Sequence, residues 1–210
     1  DTHKYGFALK GTSVVLYADA GIRQSQYFCF PDWTGGMYTT PTIAGSRSGG
    51  LVAQCWTSLV ATGEEGYMKA VDGIVKTTRV IAKALQTDSL LSAHLQLLGA
   101  AEAMIVCFSS NTLNIYAISE RMTALGWSLN TLQHPASIHL CVTRCHLGRE
   151  EDFLQDLRTV VDDVALLTAA GKTAKVSGTA AIYGMTSGLP AGPVIELLRE
   201  YNDCLLDINP

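Results

Sequence analysis

In the opening stretch DTHKYGFALKGTS, Lys4 lies between His3 and Tyr5, and a second lysine, Lys10, follows six residues later with Gly11 directly behind it. A lysine amine is a nucleophile only when it is deprotonated. Proteins achieve this near neutral pH by partial desolvation or by a neighbouring cation. His3 on one side and the apolar run Phe7, Ala8 and Leu9 on the other could supply both. One chemistry that uses such a lysine is a Schiff base to pyridoxal 5′-phosphate, an electron sink for bonds broken at an amine-bearing carbon. A His-Lys pair is also common on solvated surfaces, so the residues alone leave both possibilities open.

Other chemistry-bearing groups are fewer. The six cysteines are dispersed in apolar contexts and are expected to be reduced, mostly buried thiols. His139, Cys141, Cys145 and His146 are close in sequence, but His139 and Cys141 fall in an apparent strand and no C-x-x-C pair exists, so no metal is expected. His134 and His139 are expected to serve their own elements. The net charge of −4 and the lack of a basic stripe argue against a nucleic-acid partner. No apolar run reaches the roughly 18 residues that would span a bilayer. The chain starts without an initiating Met or a signal peptide, and it is expected to be part of a longer protein.

The elements that must position these residues follow from patterning. Thr12 to Tyr17 is β-branched and apolar and is expected to form a buried strand, with both lysines on a turn ahead of it. Gln26–Phe30 is expected to be a second short strand, followed by a long Gly-, Thr- and Ser-rich loop to Gly50. Leu51 to Gly63 and Tyr67 to Leu85 are expected to be helices, the second with Val71, Ile74, Val75, Ile81 and Leu85 on one face. AHLQLLG, AMIVCFSS, WSLNTLQ and SIHLCVT are expected to be strands. Asn114–Leu125 and Glu150–Ala169 are expected to be helices, the first ending at Gly126. A last helix is expected from about Pro193 to Leu206. The organisation is therefore α/β over residues 1–65, a bridging helix over 66–90 and a small α+β unit over 91–210.

Four segments together resemble the sphingosine-1-phosphate lyase family: DTHKYGFALKGTSVVLY, YFCFPDWTGGMYTTPTIAGSRSGG, MTALGWSLNTLQHPASIHLCVT and AAIYGM. They match in order over nearly the whole chain. The resemblance implies a fold-type-I pyridoxal-phosphate enzyme, with the end of its large domain followed by the C-terminal small domain. It implies that Lys4 is the catalytic, cofactor-bearing lysine, that His3 lies close to the cofactor, and that Lys10 binds a substrate phosphate. An ammonium on a turn is a good point-charge partner for phosphate. It further implies that Ser46 contacts the cofactor, that Arg47 and Tyr183 contact substrate, and that the protein is a homodimer associated with the endoplasmic reticulum. The activity implied is cleavage of a phosphorylated long-chain base to a long-chain aldehyde and phosphoethanolamine. The alternatives are a same-fold amino-acid decarboxylase and a non-catalytic fragment.

Two positions depart from the family pattern. Leu9 and Ser48 stand where the family usually has proline, and both loops are expected to be less rigid for it. The family groups that stack on the cofactor ring, pair with its nitrogen and bind its phosphate precede the lysine. The 210 residues alone are therefore expected to be inactive.

Overall fold

The computed structural model describes residues 1–172 and 190–206. Tyr183 and the rest of AAIYGMTSG lie outside the described residues. The chain forms two compact units, Asp1–Met68 and Lys69–Pro210.

In the first unit, helix α1 (Ala20–Gln24) is capped by Asp19, whose Oδ1 accepts from the Ile22 N–H at 2.9 Å. Strand β1 (Phe28–Phe30) pairs antiparallel with β2 (Tyr38–Thr40), Phe28 opposite Thr40 and Phe30 opposite Tyr38. The strand at Gln26–Phe30 is therefore present. The loop after it was expected to be irregular throughout, yet it contains β2, because Tyr38, Thr39 and Thr40 meet an open edge of β1. Thr12–Tyr17 is not a strand. Val14, Val15 and Leu16 are exposed. The composition suits a sheet interior, but among the described residues no strand pairs with this segment, and a strand without a ladder partner leaves its backbone groups to water.

Helix α2 runs Gly49–Thr87 with a break at Gly63, where φ is 61° and ψ is 175°. Gly63 separates the two helices expected from sequence. It adopts a left-handed φ that a side chain would strain, so the two expected helices abut as one run with a kink.

The second unit is a four-stranded antiparallel sheet under helices. Its strands are β3 (Gln96–Leu98), β4 (Ile105–Ser109), β5 (Asn130–Leu132) and β6 (Ser137–Cys141), in the order β3-β4-β6-β5. In the central pair Val106 faces Leu140 and Phe108 faces Ile138. All four are fully buried, while Ile105, Cys107, His139 and Cys141 alternate to the more open face. The buried face carries α4 (Ile115–Ala124) through Ile115, Ile118 and Met122, and α4 packs on α5 (Glu150–Ala169). Helix α5 contributes Phe153, Leu157, Val160, Val161 and Val164, which recur at helical spacing. Burying each such side chain is worth roughly 1.5–3 kcal/mol. Ile74, Ile81 and Leu85 of α2 complete this core.

Polar tethers fix the helices. Asp88 caps the short α3 (Ser89–His94) by accepting from the Leu90 and Leu91 N–H groups, and it pairs with Arg158 of α5 at 2.8 Å. Trp127 follows the left-handed Gly126 that ends α4 and is nearly buried. Its Nε1–H donates to Asp156 at 2.7 Å, and its ring meets Phe153 edge-on at 5.1 Å. Helix α6 spans Ala191–Leu206.

Candidate functional site

The lysine motif folds into a tight turn in the first unit. The Ala8 N–H donates to the Thr2 carbonyl at 2.9 Å, closing the loop that presents Lys4. Gly6 is required for that closure: a Cβ there would lie 2.7 Å from the Thr2 carbonyl oxygen. Phe7 next to it takes a left-handed φ of 54°, a strained conformation for a residue with a side chain. Thr2 Oγ1 lies 3.1 Å from the Thr12 carbonyl and 2.9 Å from the Thr12 hydroxyl, pinning the far end of the motif.

Helix α2 holds the turn from outside. The Gly6 carbonyl accepts from Ser58 Oγ and from the Tyr67 hydroxyl, each at 2.8 Å. The Leu9 N–H donates to Gln54 Oε1 at 2.9 Å, and the Phe7 ring stacks on Tyr67 with centroids 5.6 Å apart. Proline at position 9 would lack the N–H that Leu9 gives to Gln54, so the freed donor tethers the loop instead of loosening it. Gln54 and Ser58 stand four residues apart on one helix face, a spacing that sequence could have flagged. The role of Tyr67, beyond the break at Gly63, has no comparable sequence signal.

His3 is oriented by its neighbours. Its N–H donates to Asp1 Oδ1 at 2.9 Å, and its Nδ1 lies 3.1 Å from the Ala8 carbonyl. A carbonyl can only accept, so Nδ1 carries the hydrogen in this contact and Nε2 is left for other work. Lys4 is exposed, and of the apolar neighbours Phe7, Ala8 and Leu9 only Ala8 is buried. The desolvating shell expected around the amine is thus not formed by these three residues: the Phe7 ring stacks on Tyr67 of α2, and the Leu9 side chain is exposed. Lys10 is also exposed and precedes Gly11, whose φ is 105°.

Ser46 and Arg47 sit on the exposed loop ahead of α2. Arg47 lines a cavity of about 640 Å³, together with Gly11, Thr12, Arg23 and Trp56. His3, Lys4, Lys10 and Ser46 do not line it. The turn therefore groups His3 and Lys4, and the cavity groups Arg47 with residues that sequence analysis had not singled out, Arg23 and Trp56. Among the described residues no group of His, Cys, Asp or Glu is placed to hold a metal ion, and no helix is long and apolar enough to cross a membrane.

A primary amine on a turn whose backbone is fixed by bonds that leave the amine free fits a covalently attached pyridoxal 5′-phosphate. His3 beside it has its Nδ1 directed at the Ala8 carbonyl.

No protein-family model matches the chain. Among curated proteins it is 40% identical over 207 residues to the sphingosine-1-phosphate lyase of Dictyostelium discoideum, covering 98% of this chain and 38% of that protein. It is 38% identical over 213 residues to sphingosine-1-phosphate lyase 1 of Mus musculus, covering all of this chain and 36% of that protein. Among solved structures, a Burkholderia pseudomallei sphingosine-1-phosphate lyase superposes with a TM-score of 0.70 at 38% identity, over 81% of this chain and 38% of that one. The chain thus spans little more than a third of the length of the relatives it matches. By sequence from end to end, and by backbone over most of its length, it is related to the sphingosine-1-phosphate lyases and corresponds to an α/β segment of their fold.

Proposed function

We propose that the protein to which these residues belong cleaves the C2–C3 bond of phosphorylated long-chain bases, giving a long-chain aldehyde and phosphoethanolamine. The observation that carries this reading is the turn that presents Lys4, clamped by Gly6 and tied to α2 through Gln54, Ser58 and Tyr67. The relatedness to lyases of that name supports the substrate class. Nothing favours the decarboxylase alternative.

In this reading Lys4 Nζ is the group that would hold pyridoxal 5′-phosphate covalently. When bound, the cofactor supplies an electron sink for the pair left at the amine-bearing carbon. Lys4, exposed and free of ion pairs among the described residues, would be able, with its amine free, to take the proton of the C3 hydroxyl as the C2–C3 bond breaks and to give a proton to the amine-bearing carbon. His3 offers Nε2 beside the lysine. Lys10 binds the substrate phosphate as a point charge, and Arg47 adds a guanidinium with several donors. Ser46 contributes a hydroxyl toward the cofactor phosphate. Tyr183 is assigned to substrate from the family resemblance alone. We further propose a homodimer, in which the exposed Ser46–Arg47 loop completes the partner subunit's site, and association of the whole protein with the endoplasmic reticulum.

The test is aldehyde release from a phosphorylated long-chain base by a protein extended to the length of the relatives, with added cofactor. Lys4→Ala is expected to abolish release, and the 210 residues alone are expected to show none. Undiminished release by Lys4→Ala would overturn the reading.

A further inference from the structure

The lysine motif lies along one stripe of α2. Leu51, Gln54 and Ser58 stand at positions i, i+3 and i+7 of the helix. Ser58 Oγ donates to the Gly6 carbonyl, and Gln54 Oε1 accepts from the Leu9 N–H. Leu51 abuts Gly11, where a Cβ would lie 3.0 Å from Leu51 Cδ1. The chain from Gly6 to Gly11 therefore runs antiparallel to the helix, and all of these residues belong to the first unit. Lys10 falls between two of the contacts. Neither Lys10 nor Gly11 makes a hydrogen bond to a described residue. Their nearest polar anchors are the Leu9 N–H before them and the Thr12 carbonyl and hydroxyl after them, which meet Thr2 Oγ1 at 3.1 and 2.9 Å. The Leu9 side chain is exposed, so it is the N–H rather than packing that ties this residue down.

We infer that Gln54 is a positioning residue for Lys10. By accepting from the Leu9 N–H it sets, with Leu51 against Gly11, the reach between the Lys4 amine and the Lys10 ammonium. That reach decides how strongly the site prefers an amine that carries a phosphate over one that does not. Residue 9 can be fixed in two ways. A proline ring holds φ by its own covalent geometry and has no N–H to tether. A leucine leaves φ free and has a donor that needs a partner, and here the partner is a glutamine on α2. A lysine side chain is long and flexible, so an ammonium whose backbone is also loose loses orientation on both counts. The inference rests on the proposed function in taking Lys10 as the group that binds the substrate phosphate. It adds what places that ammonium, and it gives Gln54 and Leu51 roles.

The experiment is an absorbance titration of the protein extended to the length of the relatives, loaded with pyridoxal 5′-phosphate. The probes are phosphoethanolamine and ethanolamine, which differ only in the phosphate. Gln54→Leu is expected to weaken phosphoethanolamine roughly threefold to tenfold, the size of one lost hydrogen bond, and to leave ethanolamine unchanged. Leu51→Ala should act in the same direction. In a Leu9→Pro background Gln54→Leu should lose its effect, because no N–H remains for Gln54 to hold. Cofactor loading reports that each variant is folded, and the two single α2 variants decide the matter if Leu9→Pro does not load. Three results would overturn the inference: equal weakening of both probes by Gln54→Leu, no weakening by it, or an undiminished effect in the Leu9→Pro background. Failure to release aldehyde from a phosphorylated long-chain base, with this pattern of binding intact, would instead count against the proposed function alone.

Discussion

Lys10 stands on an exposed turn one residue before Gly11, which takes a positive φ of 105°. Its ammonium is available to a phosphate without breaking any contact among the described residues. In the extended protein, Lys10→Ala is expected to weaken a phosphorylated substrate by roughly tenfold to a hundredfold, the cost of one charge-assisted contact. Attachment of the cofactor at Lys4 should be unaffected. Steady-state kinetics with phosphorylated and unphosphorylated long-chain bases would check this, and equal loss for both would mark Lys10 as structural.

Asp88 does a different job in the second unit. Its hydrogen bond from Arg158, with those from the Leu91 and Leu90 N–H groups, holds the carboxyl below the ordinary aspartate value of 3.8. A carboxylate whose folded value is depressed stabilises the fold above its unfolded value, and that contribution is lost as pH falls through the folded one. Asp88→Ala is therefore expected to cost about 0.5–2 kcal/mol near neutral pH, as for other capping residues. The difference from the unsubstituted protein should shrink as pH drops below the ordinary aspartate range. Asp88→Asn, which keeps a cap acceptor but no charge, should cost less. Urea unfolding at several pH values measures this, and a pH-independent difference would contradict it.

At the scale of elements, the turn over residues 1–9 depends on a missing side chain. Gly6→Ala places a methyl 2.7 Å from the Thr2 carbonyl oxygen, a backbone atom that cannot swing away. The strain is expected to cost about 1–3 kcal/mol locally. Amide exchange at Ala8 and Leu9, whose N–H groups bond Thr2 and Gln54, should quicken, and unchanged protection there would refute the role given to Gly6. Elements whose own patterning meets a partner within the chain were legible from sequence. Helix α5 runs Glu150–Ala169 as its apolar stripe indicates, and α4 starts after Asn114, which caps it, and stops before Gly126. Strands β4, β5 and β6 lie inside the segments expected to form them. Thr12–Tyr17 and β2 were misread for one reason. A ladder is a property of two segments, and composition reports on only one of them.

At the scale of the whole molecule, the chain consists of two compact units and matches little more than a third of each relative's length. The lysine motif and the Gly-rich Ser46–Arg47 loop stand out in sequence because reactive and charged residues there are set among glycines. What sequence did not disclose is how the turn is held. Tyr67 reaches Gly6 across 61 residues, and Gln54 and Ser58 look like ordinary polar positions of a helix until the turn is seen against them. Arg23 was hidden for a similar reason, since a short exposed helix carries no sign that it faces a cavity. The proposed activity depends on Lys4. The most direct measurement is borohydride reduction of the extended protein in the presence of pyridoxal 5′-phosphate, followed by peptide mass spectrometry. The reduced cofactor is expected on Lys4; an adduct on Lys10 or Lys69, with Lys4 unmodified, would overturn the role given to Lys4.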